Sequence, residues 1–216
     1  MYTLYWSPAS ANMTPHAMLE DIGVPYELIK VDTSKGEHRS PAYLKVNPHA
    51  RVPTLVYDGG KILYETTAIA LFLAERHPEA GFAPKMDNPD RPLFLQWMAY
   101  LTNTVQIALM HWWHPERVID GTDRQAELKA KAEQRAVGMF RFLDEHLAKS
   151  GPYLCGRTFY VCDYYAVMLA QWTADMAAPA HGNPNVNKLI RTIMQRPGYA
   201  RMLKAEGIEQ PVRGGA

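Results

Sequence analysis

Cysteine is scarce: Cys155 and Cys162 are the only two in 216 residues. That spacing fits neither a disulfide framework nor a zinc site with paired cysteines. The expectation is two reduced, mostly buried thiols in a cytoplasmic protein. Long apolar runs are missing as well. None reaches about 18 uninterrupted residues, so no spanning helix and no membrane partner is expected. The opening stretch Met1-Tyr2-Thr3-Leu4-Tyr5-Trp6-Ser7-Pro8 lacks the basic-then-apolar pattern of a secretory signal. Neither sign of charge is in excess. The formal net charge of +1 gives no reason to expect nucleic acid or an anionic surface as partner. There is no internal repeat and no low-complexity tract. What remains is an ordinary composition, 47% hydrophobic and 21% charged, in a chain long enough to bury a sizeable core.

Two patterns divide the chain. Early on, short strand-like and helix-like segments alternate. Tyr2 to Trp6 reads as a strand bounded by Ser7-Pro8. Met13 to Ile22 carries Met18, Leu19 and Ile22 at helical spacing, and Gly23 is a stop. Tyr26 to Val31 reads as a second strand. Val52 to Tyr57 and Lys61 to Tyr64 flank Asp58-Gly59-Gly60, which predicts a hairpin, and Glu65 to Glu75 predicts a helix ended by His77-Pro78. The order predicts a crossover unit followed by an antiparallel hairpin backed by a helix. Residues 32–51 read as an irregular, partly helical connection. Prolines then mark a linker, after which the pattern is helical. Leu93, Trp97, Tyr100, Leu101 and Thr104 share one face that continues to Ile107 and Met110. Gln125 to Ala148 is a long helix with Ala132, Ala136, Met139 and Leu143 inward, and Asp163 to Ala178 is apolar nearly all round. Asn185 to Gln195 puts Val186, Leu189, Ile190 and Ile193 inward, with Pro197-Gly198 as its end and residues 213–216 frayed. The predicted fold is an α/β domain over residues 1–78, a linker over 79–91, and an all-helical domain over 92–216.

The most specific signal lies in residues 48–67. Proline opening a strand, as in Val52-Pro53, belongs at an edge or a start. A cis peptide there would turn the N–H and C=O of Val52 outward, toward an extended ligand backbone. Thirteen residues on, Glu65-Thr66-Thr67 opens a helix. Its unpaired N–H groups suit a carboxylate and the Glu65 side chain suits an ammonium group. A ligand with a peptide backbone, a carboxylate and an α-amino group satisfies all three. Ordinary helix capping is the competing account of Glu65-Thr66-Thr67; it does not explain Val52-Pro53.

The run Asn47-Pro48-His49-Ala50-Arg51-Val52-Pro53-Thr54-Leu55, with Glu65 to Ala74 after it, resembles the cytosolic glutathione transferase superfamily. Lys35 to Pro41 resembles theta- and phi-like members, and Tyr153 to Phe159 with Asp163 resembles the family's turn into its buried helix. The resemblance implies a thioredoxin-like domain followed by a helical bundle, glutathione as co-substrate, and a homodimer. It implies that Val52 pairs with the cysteinyl backbone, that Glu65 and Thr66 hold the γ-glutamyl end, and that His38 and Arg51 lie near the glycine carboxylate. His49, in the same loop, is a weaker match. Two departures stand out. Ala50 stands where members commonly have glycine. Tyr160 stands where they have a short capping residue, a loss of about 0.5–2 kcal/mol unless offset.

The resemblance also implies a serine-type activation of the thiol. Lowering a pKa of about 8.5 by two units takes roughly 2.7 kcal/mol, and one hydroxyl bond to an anion contributes about 1.5–3. Ser10 is the leading donor, with Asn12 as a second; Ser7 and Tyr5 are alternatives, and helix capping is the plainer role for Ser10 or Asn12. Ser10-Ala11-Asn12 resembles the Thr-x-Asn arrangement of nu-like members. No cysteine lies near this loop, which disfavours mixed-disulfide chemistry on the protein. A small hydrophobic electrophile is expected against Asn103, Gln106, Met110 and Trp113, although Trp and Met at helical spacing are more often core or dimer contact. His111 and His114 suggest no third ligand, so no metal is expected. The reading is a transferase of glutathione to an electrophilic carbon. The alternatives are a glutathione-dependent isomerase, peroxidase or disulfide reductase, or a non-catalytic binding module.

Overall fold

The structure, a computed structural model, describes residues 1–208. The expected fraying of residues 213–216 lies outside them. Among the described residues the chain forms two units: Met1–Ala83 together with residues 195–208, and Pro84–Met194. Among the described residues no helix is long and apolar enough to cross a membrane.

The first unit is a four-stranded mixed sheet with helices, the thioredoxin-like arrangement. Strand β1 (Tyr2–Trp6) buries Tyr2, Leu4 and Trp6 and half-buries Thr3 and Tyr5, the alternation a pleated strand requires. Helix α1 (Met13–Ile22) ends at Gly23, whose φ of 73° lets its N–H reach the Leu19 carbonyl. Strand β2 (Tyr26–Lys30) then pairs parallel to β1. A helical turn at Glu37–Arg39 and the short α2 (Pro41–Leu44) fill the irregular connection. Strands β3 (Thr54–Tyr57) and β4 (Lys61–Tyr64) form the predicted hairpin, its turn made by Asp58, Gly59 and Gly60 at φ of 42°, 76° and 117°. The sheet order is β2-β1-β3-β4, and Leu4 and Leu55 face each other across β1 and β3 in its buried centre. Helix α3 (Thr66–Arg76) completes the segment.

One element of this unit was not expected. Pro197-Gly198 does not only end a helix; it starts another. Helix α9 (Pro197–Glu206) buries Tyr199, Met202 and Leu203 and packs on α1. Proline at a first helical position needs no N–H partner and presets the helical φ, so the same dipeptide that reads as a stop serves as a start. Gly198 lets the two helices approach: its N–H donates to the Asp21 carboxylate at 2.7 Å.

The second unit is helical. Helix α4 (Arg91–Tyr100) runs into a π-helical stretch over Leu101–Gln106 and then α5 (Ile107–Trp113). The buried face is Phe94, Trp97, Met98, Leu101, Val105, Ala108 and Leu109. The predicted face placed Leu93, Tyr100, Thr104, Ile107 and Met110 with Trp97 and Leu101. Trp97 and Leu101 are buried, but Ile107 is 45% exposed and Leu93, Tyr100, Thr104 and Met110 are half-buried: the buried stripe runs through Phe94, Met98, Val105 and Ala108, which leaves those five at its margin or outside it. Helix α6 (Thr122–Ser150) buries Ala132, Ala136 and Leu143 as expected, but Phe140 rather than Met139. Helix α7 (Val161–Gln171) is buried throughout Val161–Ala170 and gives way to turns before the predicted Ala178. Its neighbours include α4 and α8 (Pro184–Met194). Tyr160 offers its first turn no side-chain bond. Asp163 offsets that, accepting from the N–H groups of Tyr160 at 3.0 Å and Leu154 at 2.8 Å. Cys155 and Cys162 are free and buried with sulfurs 4.0 Å apart, and burial pushes the Cys162 thiol well up.

Candidate active site

The loop between β1 and α1 turns at Ala9, a non-glycine residue at φ 54°. Beyond it the main-chain N–H groups of Ser10, Ala11 and Asn12 take no partner among the described residues. Three successive free N–H groups at a helix start make a concavity for an anion. Ser10 is half-buried and its hydroxyl donates to Asn12 Oδ1 in a short contact. Asn12 is fully buried. Its Oδ1 also accepts from the Ser7 N–H at 2.9 Å, and its Nδ2 donates to Glu206 Oε1 at 2.6 Å. Asn12 thus holds Ser10 and has no exposed surface to offer a ligand. Of the alternatives, Ser7 is buried with its hydroxyl 3.2 Å from that of Thr33, and Tyr5 stacks edge-on against Tyr43.

The second helix start lies beside the first. The Thr66 hydroxyl donates to the Ala11 carbonyl at 3.1 Å, which ties the opening turns of α3 and α1 together. That leaves the Thr66 main-chain N–H and the hydroxyl's lone pairs for a ligand. Glu65 precedes it at φ 74° and ψ 115°, a region that disfavours any side chain, and its exposed carboxylate makes no capping bond. The capping account of Glu65 therefore does not hold.

The Val52–Pro53 peptide is cis. The loop before it is fixed from within. The Arg51 carbonyl accepts from the Tyr43 hydroxyl at 2.6 Å and from Asn47 Nδ2 at 2.9 Å, and the Asn47 side-chain oxygen accepts from the His49 N–H at 3.0 Å. Val52, half-buried, keeps its N–H and C=O without partners among the described residues. Arg51 is exposed, His49 packs its ring on Tyr64, and His38 is half-buried on the turn Glu37–Arg39. That turn follows Asp32, whose carboxylate accepts from the Ser34 hydroxyl and the Lys35 N–H, bonds that hold it down at about 2. Ala50, where glycine was the family habit, sits at φ 53°.

In the second unit, Asn103 is exposed and Gln106 half-buried on the π stretch, while Met110 and Trp113 follow on α5. Gln106 accepts from the buried Tyr165 hydroxyl, and the Trp113 indole N–H donates to the Trp172 carbonyl at 3.0 Å. Sequence reasoning missed Tyr165, Tyr43, Asn47 and, above all, Glu206 with His16. Asn47 alone stood inside a motif that could have flagged it.

Two family models match the chain: the glutathione S-transferase N-terminal domain over residues 10–76 and the glutathione S-transferase C-terminal domain over residues 100–197. The chain belongs to the glutathione S-transferase family. Among its relatives, this family member is 31% identical to glutathione S-transferase F9 of Arabidopsis thaliana over 157 residues, 69% of this chain and 68% of that one. It is 28% identical to the disulfide-bond oxidoreductase YfcG of Escherichia coli over 169 residues, 76% of each chain. Among solved structures, a glutathione transferase homologue from Sulfitobacter, crystallised with bound glutathione, superposes with a TM-score of 0.89 at 25% identity, covering 96% of this chain and 99% of that one.

Proposed function

We propose that the chain is a glutathione transferase that binds glutathione along the first unit and activates its thiol at the mouth of α1. In this reading Val52 pairs with the cysteinyl backbone, Glu65 takes the α-ammonium group, and the Thr66 N–H takes the γ-glutamyl carboxylate. His38 and Arg51 serve the glycine carboxylate. The thiol gives its proton to solvent, and the sulfur attacks an electrophilic carbon as a leaving group departs or a double bond opens. Asn103, Gln106, Met110 and Trp113 are assigned to the electrophile.

The observation that carries this is the free N–H run at Ser10, Ala11 and Asn12, with the Ser10 hydroxyl beside it. Magnitudes divide the work. A hydroxyl bond to a thiolate is worth about 1.5–3 kcal/mol, but Ser10 must release Asn12 to make it, at about 0.5–1.5. The net is about 1–1.5 kcal/mol, near one pKa unit. The N–H groups and the helix terminus supply a second unit, in the upper part of the about 0.3–2 kcal/mol that a helix terminus contributes. Ser10→Ala is therefore expected to raise the pKa of bound glutathione by about one unit, from about 6.5 to about 7.5, and so to slow aryl transfer about threefold at pH 7. Ultraviolet titration of the thiolate in the complex measures the first. No glutathione binding at millimolar concentration would remove the proposal.

One observation favours a second reading, disulfide reduction: Asn12 behind Ser10 forms the Ser-x-Asn arrangement, and the relative YfcG is a disulfide-bond oxidoreductase. Both thiols of such a reaction would come from glutathione, since Cys155 and Cys162 are buried in the second unit. Turnover of a small disulfide faster than that of an aryl halide decides for it.

A further inference from the structure

We propose that Glu206, on α9, is a positioning residue for thiol activation, aiming the Ser10 hydroxyl through Asn12. The inference rests on the reading of Ser10 as thiolate donor.

Glu206 is an acid with no exposed side-chain surface. Each of its oxygens is committed. Oε1 accepts from Asn12 Nδ2 at 2.6 Å and from His16 Nδ1 at 2.8 Å, and Oε2 accepts from the Ala9 N–H at 3.1 Å. A buried carboxylate is costly unless donors surround it, and here two of three donors belong to the Ala9–Asn12 loop. A surface acid on the last turn of a helix would serve stability no worse, so the burial calls for another account.

The account is the orientation of one amide. Asn12 could present either its oxygen or its nitrogen to Ser10. A carboxylate only accepts and the Ser7 N–H only donates. Together they leave one arrangement: nitrogen to Glu206, oxygen to Ser7 and Ser10. The reverse would set donor against donor and acceptor against acceptor. With the oxygen in place the Ser10 side chain is anchored beside the free N–H groups; turning its O–H from Asn12 to a sulfur costs about 0.5–1.5 kcal/mol, and the fixed starting position is what Glu206 supplies against that cost. Glu206 also holds the Ala9 N–H, and with it the left-handed turn that carries Ser10, a turn that costs about 1–2 kcal/mol for an alanine.

The sign of the effect separates positioning from plain charge. A carboxylate behind Ser10 repels a thiolate, so removing its charge should by Coulomb's law lower the thiol pKa. Loss of aim raises it. Glu206→Gln can keep an oxygen toward Asn12 and His16 only by turning its NH2 group onto the Ala9 N–H. In the full chain, with glutathione as probe, Glu206→Gln is expected to raise the bound thiol pKa by about one unit. At pH 7 kcat then falls about threefold, as the thiolate fraction does, and KM for glutathione changes less than about twofold. Leu203→Ala, on the same helix and equally buried, should lower the melting temperature without moving that pKa. In a Ser10→Ala background the Glu206→Gln shift should shrink to less than half. Should Glu206→Gln not fold, Glu206→Asp serves the same comparison. An unmoved or lowered pKa, an equal shift from Leu203→Ala, or a full shift without Ser10 overturns the inference. If Ser10→Ala alone leaves the pKa unmoved, the Ser10 reading falls, and this inference with it; if Ser10→Ala moves it and Glu206→Gln does not, only Glu206 is acquitted of a role.

Discussion

At Glu65 the backbone adopts φ 74° and ψ 115°, and the side chain makes no capping bond to compensate it; its carbonyl accepts the ordinary first-turn bond from the Ile69 N–H at 2.9 Å. A side chain held there costs about 1–3 kcal/mol, a strain typical of groups that serve a ligand. Glycine removes the strain but adds about 0.5–1 kcal/mol of chain entropy on folding. Glu65→Gly is therefore expected to stabilise the protein by about 1 kcal/mol while raising KM for glutathione about tenfold, the usual scale for a lost charge-assisted bond. Thermal melts and steady-state kinetics on the same variant check both halves. A variant that loses stability shows that the conformation is not strained. Residues of this kind divide by legibility. Glu65, Thr66 and Val52 stood in a motif whose order points to a peptide-like ligand. Glu206 stood in Lys204-Ala205-Glu206-Gly207, an unremarkable helix end. Its role comes from burial against a loop near the other end of the sequence, which no local pattern encodes.

Elements were legible where periodicity or a turn residue spoke for one outcome. The strands, the hairpin glycines and the stop at Gly23 are of that kind. The π stretch Leu101–Gln106 was not, because its extra residue per turn is invisible to a regular helical template. Nor was α9, whose opening dipeptide carries two opposite meanings. Gly198 decides between them through space. A Cβ built there would lie 2.3 Å from Asp21 Oδ1 and 2.7 Å from the Ala17 carbonyl oxygen. Gly198→Ala must therefore push α9 away from α1 and weaken the Gly198 N–H bond to Asp21. A loss of about 1–3 kcal/mol is expected, read from denaturant unfolding. An alanine variant as stable as the parent would mean that the two helices do not pack this closely in solution.

For the molecule as a whole, the first unit is discontinuous in sequence. A fragment of residues 1–83 retains the sheet, α1 and α3 but leaves bare the α1 surface that Tyr199, Met202 and Leu203 cover. Small units have little apolar burial to spare. The fragment is expected to unfold without cooperativity, and addition of a peptide spanning 195–208 to sharpen the transition; circular dichroism against denaturant reads both. The division also dictates an order of manufacture. A ribosome must produce every residue of Pro84–Met194 before α9 exists, so the loop at Ala9–Asn12 waits for a partner 194 positions downstream of Asn12. Any nascent or prematurely halted chain carries Ser10 without the acid that aims it. Full ionisation of a bound thiol then waits on translation past residue 206, and an aborted product that binds the tripeptide holds a smaller share of it as thiolate.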